Sequence, residues 1–296
     1  MNLKKNTALA LALTMALGLT ACSGGAGGSS SVSGSTSSSG DAASSGNTSS
    51  SVSSAASSTQ TESDMQYVKD KGTLVVGMTE FAPMDYQDEN GNWIGFDADL
   101  ATAFAEYLGV EVVFQPIDWD SKVMELDGKT IDVVWNGMTL TDDVKASMEC
   151  SNPYFSNAQV AVVPADKAAD YQTVESLKDL TFAVEIGSAG KEQADANGLT
   201  YTEVGDQATA LLEVSSGTAD AAIIDFLMAA AMTGEGTSYA DLAPTVGLNS
   251  EEYGVGFRKG SDLAAELNTF FAEKYADGTM QTIAEQYNIA DRLLEQ

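Results

Sequence analysis

The sequence predicts an α/β fold of two lobes, the first of them discontinuous, with two chain crossings between them. Three observations carry that expectation. Between Leu74 and Val134, short apolar runs alternate with helical patterns in the order β-α-β-α-β, the order of a largely parallel sheet with helices on its faces. A second unit of the same kind runs from Val160 to Asp225. The last pattern, from Tyr253, is a strand followed by two helices with no further strand, so these helices are expected to pack on the first sheet. The chain then crosses between the lobes twice, near Ser156–Gln159 and Ser250–Tyr253, which assigns 65–156 and 251–296 to the first lobe and 157–250 to the second.

Ahead of the folded body, Lys4 and Lys5 precede an apolar run from Ala8 to Leu19, and Leu19-Thr20-Ala21-Cys22 follows. A basic start, a short apolar stretch and small residues before a cut describe a secretory signal over 1–21. The run is too short to span a membrane. Cleavage leaves Cys22 at the front, which resembles the lipobox of bacterial lipoproteins and implies that Cys22 is acylated. Residues 22–64 are mostly Ser, Gly, Ala and Thr. Such a composition buries too little apolar surface to offset its ordering entropy, so it reads as a flexible tether.

In the first lobe, Leu74–Met78 is an apolar strand, Phe81–Tyr86 a loop and Asp88–Gly91 a turn. Leu100, Phe104 and Leu108 fall four apart on one face of a helix from Phe96, and Gly109 suits the left-handed position that ends it. Val110–Phe114 is the next strand, and Asp118-Trp119-Asp120 leads into a helix carrying Val123 and Leu126 and ending at Gly128. Ile131, Val133 and Val134 form a short strand buried on both faces, broken by Asn136-Gly137. Thr141 is placed to cap a short helix, with Asp142 and Asp143 against its positive end. A strand end that turns polar beside a helix start is where open α/β sheets bind ligands.

The second lobe reads as strand Val160–Val163, helix Val174–Leu180, strand Thr181–Val184, then Glu185-Ile186-Gly187-Ser188-Ala189-Gly190 opening a helix that ends at Asn197-Gly198. Strand Tyr201–Val204 and helix Gln207–Ser216 follow, and strand Asp220–Ile224 ends at Asp225. Beyond strand Tyr253–Phe257, Arg258-Lys259-Gly260 turns. Helix Asp262–Tyr275 then carries Leu263, Leu267, Phe270 and Phe271 on one face, and a last helix holds Met280, Ile283, Ala284 and Tyr287.

Composition excludes several function classes. Acidic residues outnumber basic ones 43 to 14, a net charge of −29, and loss of the leader with its two lysines takes it to about −31. That opposes nucleic acid and electrostatic attachment to anionic lipid. The absence of histidine removes Ser-His-Asp and Cys-His catalysis and leaves zinc sites without their usual ligands. No cofactor is expected. With Cys22 acylated, Cys150 has no partner for a disulfide and reads as a small buried thiol.

The motifs GTLVVGM, GNWIGFDADLATAFAEYLGVEV, IDVVWNGMTLT, SNPYFSNAQVAVV, LKDLTFAVEIGSAG, GTADAAIID, YGVGFRKG and DGTMQTIAEQY, in this order from about Lys71 to Ile289, resemble the family 3 extracellular solute-binding proteins, receptors of ABC importers for polar amino acids. The resemblance implies a two-lobe, type II periplasmic-binding-protein-like fold that closes on ligand about its hinge. It places Phe81 and Trp119 as aromatic walls around the ligand side chain. Asn136, Gly137 and Thr139 become polar and backbone contacts, the Ser188–Ala189 helix start becomes an anion site, and Asp225 becomes the holder of the ligand ammonium. Asp225 also suits a helix cap, and the two roles are compatible.

One departure stands out. The family's carboxylate-binding arginine follows the TLT segment by three residues, and here Val144 occupies that place. Neither arginine, Arg258 or Arg292, is near in sequence, so the bidentate clamp is missing. Glu80 and Glu185 lie beside the expected pocket and lean it towards a cationic or amine-bearing ligand. Whether Trp135 points to the cleft or the hinge is open. The expected protein is a monomeric, extracytoplasmic lipoprotein that hands an amino acid or small amine to ABC permease subunits. The alternatives are a sensor without transport, which needs a separate signalling partner, and an enzyme on the same fold using Glu185 or Asp225 as acid or base.

Overall fold

The structure, a computed structural model, describes residues 63–296. The leader, Cys22 and nearly all of the tether lie outside the described residues. The body opens on α1 (Asp64–Lys71), which the sequence reading gave no helix. Its apolar content is thin, with Val68 alone among its apolar residues fully buried, but Ser63 caps its start and Gly72 its end in the left-handed conformation.

In chain order follow β1 (Thr73–Met78), a ribbon of β2 (Tyr86–Gln87) and β3 (Trp93–Ile94), α2 (Phe96–Leu108), β4 (Glu111–Pro116), α3 (Lys122–Asp127) and β5 (Val133–Thr139). Next come α4 (Asp142–Ser147), β6 (Glu149–Cys150) and β7 (Phe155–Asn157). The second sheet is built from β8 (Gln159–Pro164), β9 (Thr181–Glu185), α5 (Ala189–Asn197), β10 (Thr200–Val204), α6 (Gln207–Ser216), β11 (Ala221–Asp225), α7 (Phe226–Met232) and β12 (Leu242–Gly247). The chain closes with β13 (Glu251–Phe257), α8 (Leu263–Ala276) and α9 (Thr279–Gln286).

The first sheet has the order β4-β1-β5-β13-β6, with β7 also on β13; the second has β10-β9-β11-β8-β12. In each, the strands joined by helices run parallel: β1 with β4 and β5, and β9 with β10 and β11. The strands that carry the crossings run antiparallel, β13 to β5 and β8 to β11. The second sheet is therefore more mixed than a βαβ reading implies. Antiparallel β12, missing from the sequence reading, is an edge strand whose Pro244 and Gly247 hid its pattern. The helix expected over Val174–Leu180 is a 3-10 turn, Val174–Leu177, closed by a reciprocal Thr173–Ser176 cap.

The chain passes between the sheets at Ala158, after β7, and again between β12 and β13. β7 and β13 pair directly, Glu251 opposite Asn157 and Tyr253 opposite Phe155. The closing helices do return to the first sheet: Phe270 and Phe271 of α8 pack on Phe104 and Trp135. Trp135 is fully buried there, so it belongs to the core and not to the cleft or hinge. At the end of this sheet remote from the cleft, Arg258 is buried between Asp64 and Asp132, joining α1 to the strands, and Lys71 also pairs with Asp132.

Candidate functional site

The carboxyl ends of β1, β5, β9 and β11 meet at one cleft. From the first lobe come Phe81, Trp119, Lys122, Asn136–Thr139 and Val144; from the second come Glu185, Gly187–Ala189, Gln207 and Asp225. The free volume between these walls is about 30 Å³. Small-molecule sites usually measure about 300–1,000 Å³, so the cleft in this state is smaller than such a site.

The floor is β5. Gly137 has a left-handed φ of 53° and its N–H donates to Asp97 at 2.6 Å. A Cβ there would lie 2.6 Å from the Phe81 ring, so glycine is what lets that ring sit flat on the strand. Phe81 in turn meets the Tyr253 ring edge-on at 6.2 Å. Asn136 lines the cleft, but its amide is spent inside the lobe. Its oxygen accepts from the Thr79 N–H and hydroxyl, and its nitrogen donates to Thr79 and Asp85. The Thr139 hydroxyl donates to Glu251 at 2.9 Å. The Asn136 amide, the Gly137 N–H and the Thr139 hydroxyl proton thus each have a partner within the protein, while all three residues line the cleft. Glu80 is exposed and outside the cleft wall: Thr79 takes the buried side of the chain beneath Asn136, and the next residue faces away.

Beneath the floor, Asp97 and Asp85 are both fully buried. Asp97 accepts from Gly137 and from the Tyr154 hydroxyl at 2.8 Å. Burial, opposed by these hydrogen bonds, pushes Asp97 up to about 7. Burial, and then the neighbouring Asp97, hold Asp85 well above the usual carboxylate range.

The far wall holds Asp225. It stands at the start of α7, yet its side chain caps nothing. One carboxylate oxygen accepts from Asn157 and from the Tyr253 hydroxyl, each at 2.6 Å, and the other from Gln207 at 2.6 Å. Burial and then nearby Glu251 push Asp225 up to about 7. Asn157 also donates to Glu251, which collects Gln159 and Thr139 as well. Asp225 is thus fixed to the hinge, with Tyr253 reaching it from the first sheet. Ser188 caps α5 by accepting from the Lys191 N–H, and the Ala189 and Gly190 N–H groups fall in the helix's first turn, outside its ladder.

Lys122, Met138, Glu192 and Gln207 of the cleft wall escaped the sequence reading, and Glu185 was placed only beside the site. Lys122 is buried, donates to the Trp119 and Gly187 carbonyls at 3.0 and 3.1 Å, and lies 4.7 Å from the Trp119 ring centre. It joins the lobes, and its position three residues after Trp119 on a helical turn was the available signal. Burial lowers its pKa, with Glu185, Asp120 and Glu192 opposing. Gln207 left no signal beyond standing at a helix start. Glu185, in the wall itself, is pushed up to about 8 by burial first and by Asp225 and Asp206 next. Val144 is buried in the wall, and neither arginine joins it: Arg258 is in the remote ion cluster and Arg292 stacks on Phe226. Gly187 (φ 68°) brings the second lobe against the first, where a Cβ would stand 2.9 Å from the Asp120 backbone. Burial pushes the half-buried Cys150 thiol up, in keeping with an unreactive cysteine.

Residues 74–290 match the model of the bacterial extracellular solute-binding proteins, family 3. The chain belongs to that family. It is 31% identical over 234 residues to the L-cystine-binding protein TcyJ of Escherichia coli, covering 78% of this chain and 88% of that one. Among solved structures, the arginine-bound form of ArgBP from T. maritima is 36% identical with a TM-score of 0.66, covering 70% of this chain and 99% of that one. The ancestral amino acid-binding protein AncCDT-1, a precursor of cyclohexadienyl dehydratase, is 32% identical with a TM-score of 0.70, covering 76% and 99%. The two sheets joined by two crossings are the type II periplasmic-binding fold. This family consists mainly of binding proteins, although a dehydratase has arisen from it.

Proposed function

We propose that this chain is the receptor of an ABC importer, anchored outside the cytoplasm through a lipid on Cys22, and that it captures an amino acid or similar small amine between its lobes. The observation that carries this reading is the cleft itself. Both lobes supply walls, with two aromatic faces on one side and the Asp225 carboxylate and a helix start on the other. Asp225 receives the ligand ammonium. A ligand carboxylate, where there is one, rests on the first turn of α5 in place of the missing arginine. Phe81 and Trp119 enclose the remainder. The names of the relatives, cystine-binding and arginine-bound, support this class of ligand.

Calorimetry and thermal shift with L-cystine, L-arginine, L-lysine, L-histidine, L-glutamine and 1,4-diaminobutane test the reading. One or more of these should raise the melting temperature, because a ligand that binds only the native state stabilises it by mass action. The bound compound should be recovered unchanged, and small-angle scattering should show compaction about the two crossings. A protein that none of the six stabilises would overturn the ligand class, and a compound consumed in the cell would overturn the receptor reading.

A further inference from the structure

Glu185 is 2% exposed and lies in the cleft wall, and its Oε1 has no hydrogen-bond partner among the described residues. Buried carboxylate oxygens are nearly always matched by a donor, since an unmatched one forfeits its hydration. The fold explains the position. Val184 packs into the core of the second lobe, so the next residue of β9 faces the other way, at the strand end where the cleft lies. Its neighbours leave Oε1 unmatched: Gln207, whose side chain also bonds the Glu185 carboxyl, donates to Asp225, and Lys122 donates to two carbonyls.

The charged groups acting on Glu185 are Asp225 from β11, Asp206 at the start of α6 and Lys122 from α3, and Glu192 of α5 lines the same cleft with its own pKa raised, by burial first. Two carboxyls beside Glu185 outnumber one ammonium. Lys122 already lies over Trp119, which demonstrates that this aromatic wall accepts a cation.

Building on the receptor reading above, we infer that Glu185 is the residue that reads a positively charged group on the ligand, beyond the ammonium at Asp225, and that capture expels its carboxyl proton to the solvent. The exchange balances: the O–H bond of the neutral acid breaks, the proton leaves to buffer, and the ligand cation takes its place beside the carboxylate. The high value of about 8 supports this, since the acid is mostly neutral at pH 7. A ligand that instead brought an anion to the neutral acid would give the opposite sign.

The test is calorimetry of wild type and Glu185→Gln with L-arginine, L-cystine and 1,4-diaminobutane, each in phosphate and in Tris. Wild type should release about one to two protons per ligand near neutral pH, from Glu185 and Asp225 together, and affinity should rise with pH up to about pH 8 before levelling, by up to about tenfold per pH unit for each group. Because Asp225 also titrates near 7, the difference between the two proteins assigns the effect. In Glu185→Gln, the release should drop by the Glu185 share and the rise between pH 7 and pH 8 should vanish. Proton uptake by wild type, or equal proton counts in the two proteins, overturns the inference while leaving the receptor standing. Should the variant fail to fold, the pH range of the exchange in wild type decides, because release that persists at pH 8, where Asp225 is already ionised, belongs to Glu185. If wild type binds none of the three, the site reading falls and the inference with it.

Discussion

Asp97→Asn should make the protein less sensitive to alkali. In the native state Asp97 titrates at about 7, against 3.8 for an ordinary aspartate, because burial outweighs its bonds to Gly137 and Tyr154. As pH rises past 3.8 the unfolded chain gives up this proton and the native state keeps it. Unfolding therefore releases a proton throughout that window, and stability falls with rising pH until the native carboxyl also ionises near 7. The slope is about 1.4 kcal/mol per pH unit, so the loss across the window is about 4 kcal/mol. Asparagine keeps the shape and an oxygen for the Gly137 N–H, but does not titrate. Whatever the fixed cost of the exchange, the variant should gain on wild type by about 3 kcal/mol between about pH 4.5 and about pH 8. Relief of the charge that Asp97 imposes on Asp85 adds to the same sign. Urea unfolding of both proteins at the two pH values measures it. A gap between the proteins that stays constant with pH would refute the reasoning.

Three further outcomes follow. Gly137→Ala should cost about 1–2 kcal/mol from the left-handed backbone alone and, by driving a methyl into the Phe81 ring, should weaken ligand binding, both readable by thermal shift and calorimetry. Arg258→Met leaves Asp64 and Asp132 short of their buried counter-charge and should destabilise by about 3–5 kcal/mol in urea melts, despite lying far from the cleft. Mass spectrometry of membrane-extracted protein should find a chain beginning at Cys22 and carrying acyl groups; an intact leader or a bare Cys22 would contradict the lipid anchor.

Much of this architecture was legible because apolar periodicity reports which face of an element is buried. That was enough to place the strands along the chain and to return α8 to the first sheet, and the family resemblance then implied that Phe81, Trp119, Ser188 and Asp225 share one cleft. Periodicity says nothing of where a polar side chain finds its partner. Asn136 looked available for a ligand until Thr79 and Asp85, more than fifty residues away, proved to hold all of its amide. Lys122 was missed for the same reason, because its acceptor Gly187 sits 65 residues on, in the other lobe. α1 and β12 were missed for local reasons, the first being mostly polar and the second carrying proline and glycine.

The bare backbone of Gly187 lies against Asp120. On the receptor reading proposed above, that contact is a mechanical stop: the jaws close to a spacing set by the chain itself, and a partner docking on the outer rims of both lobes meets one gauge for every cargo small enough to fit.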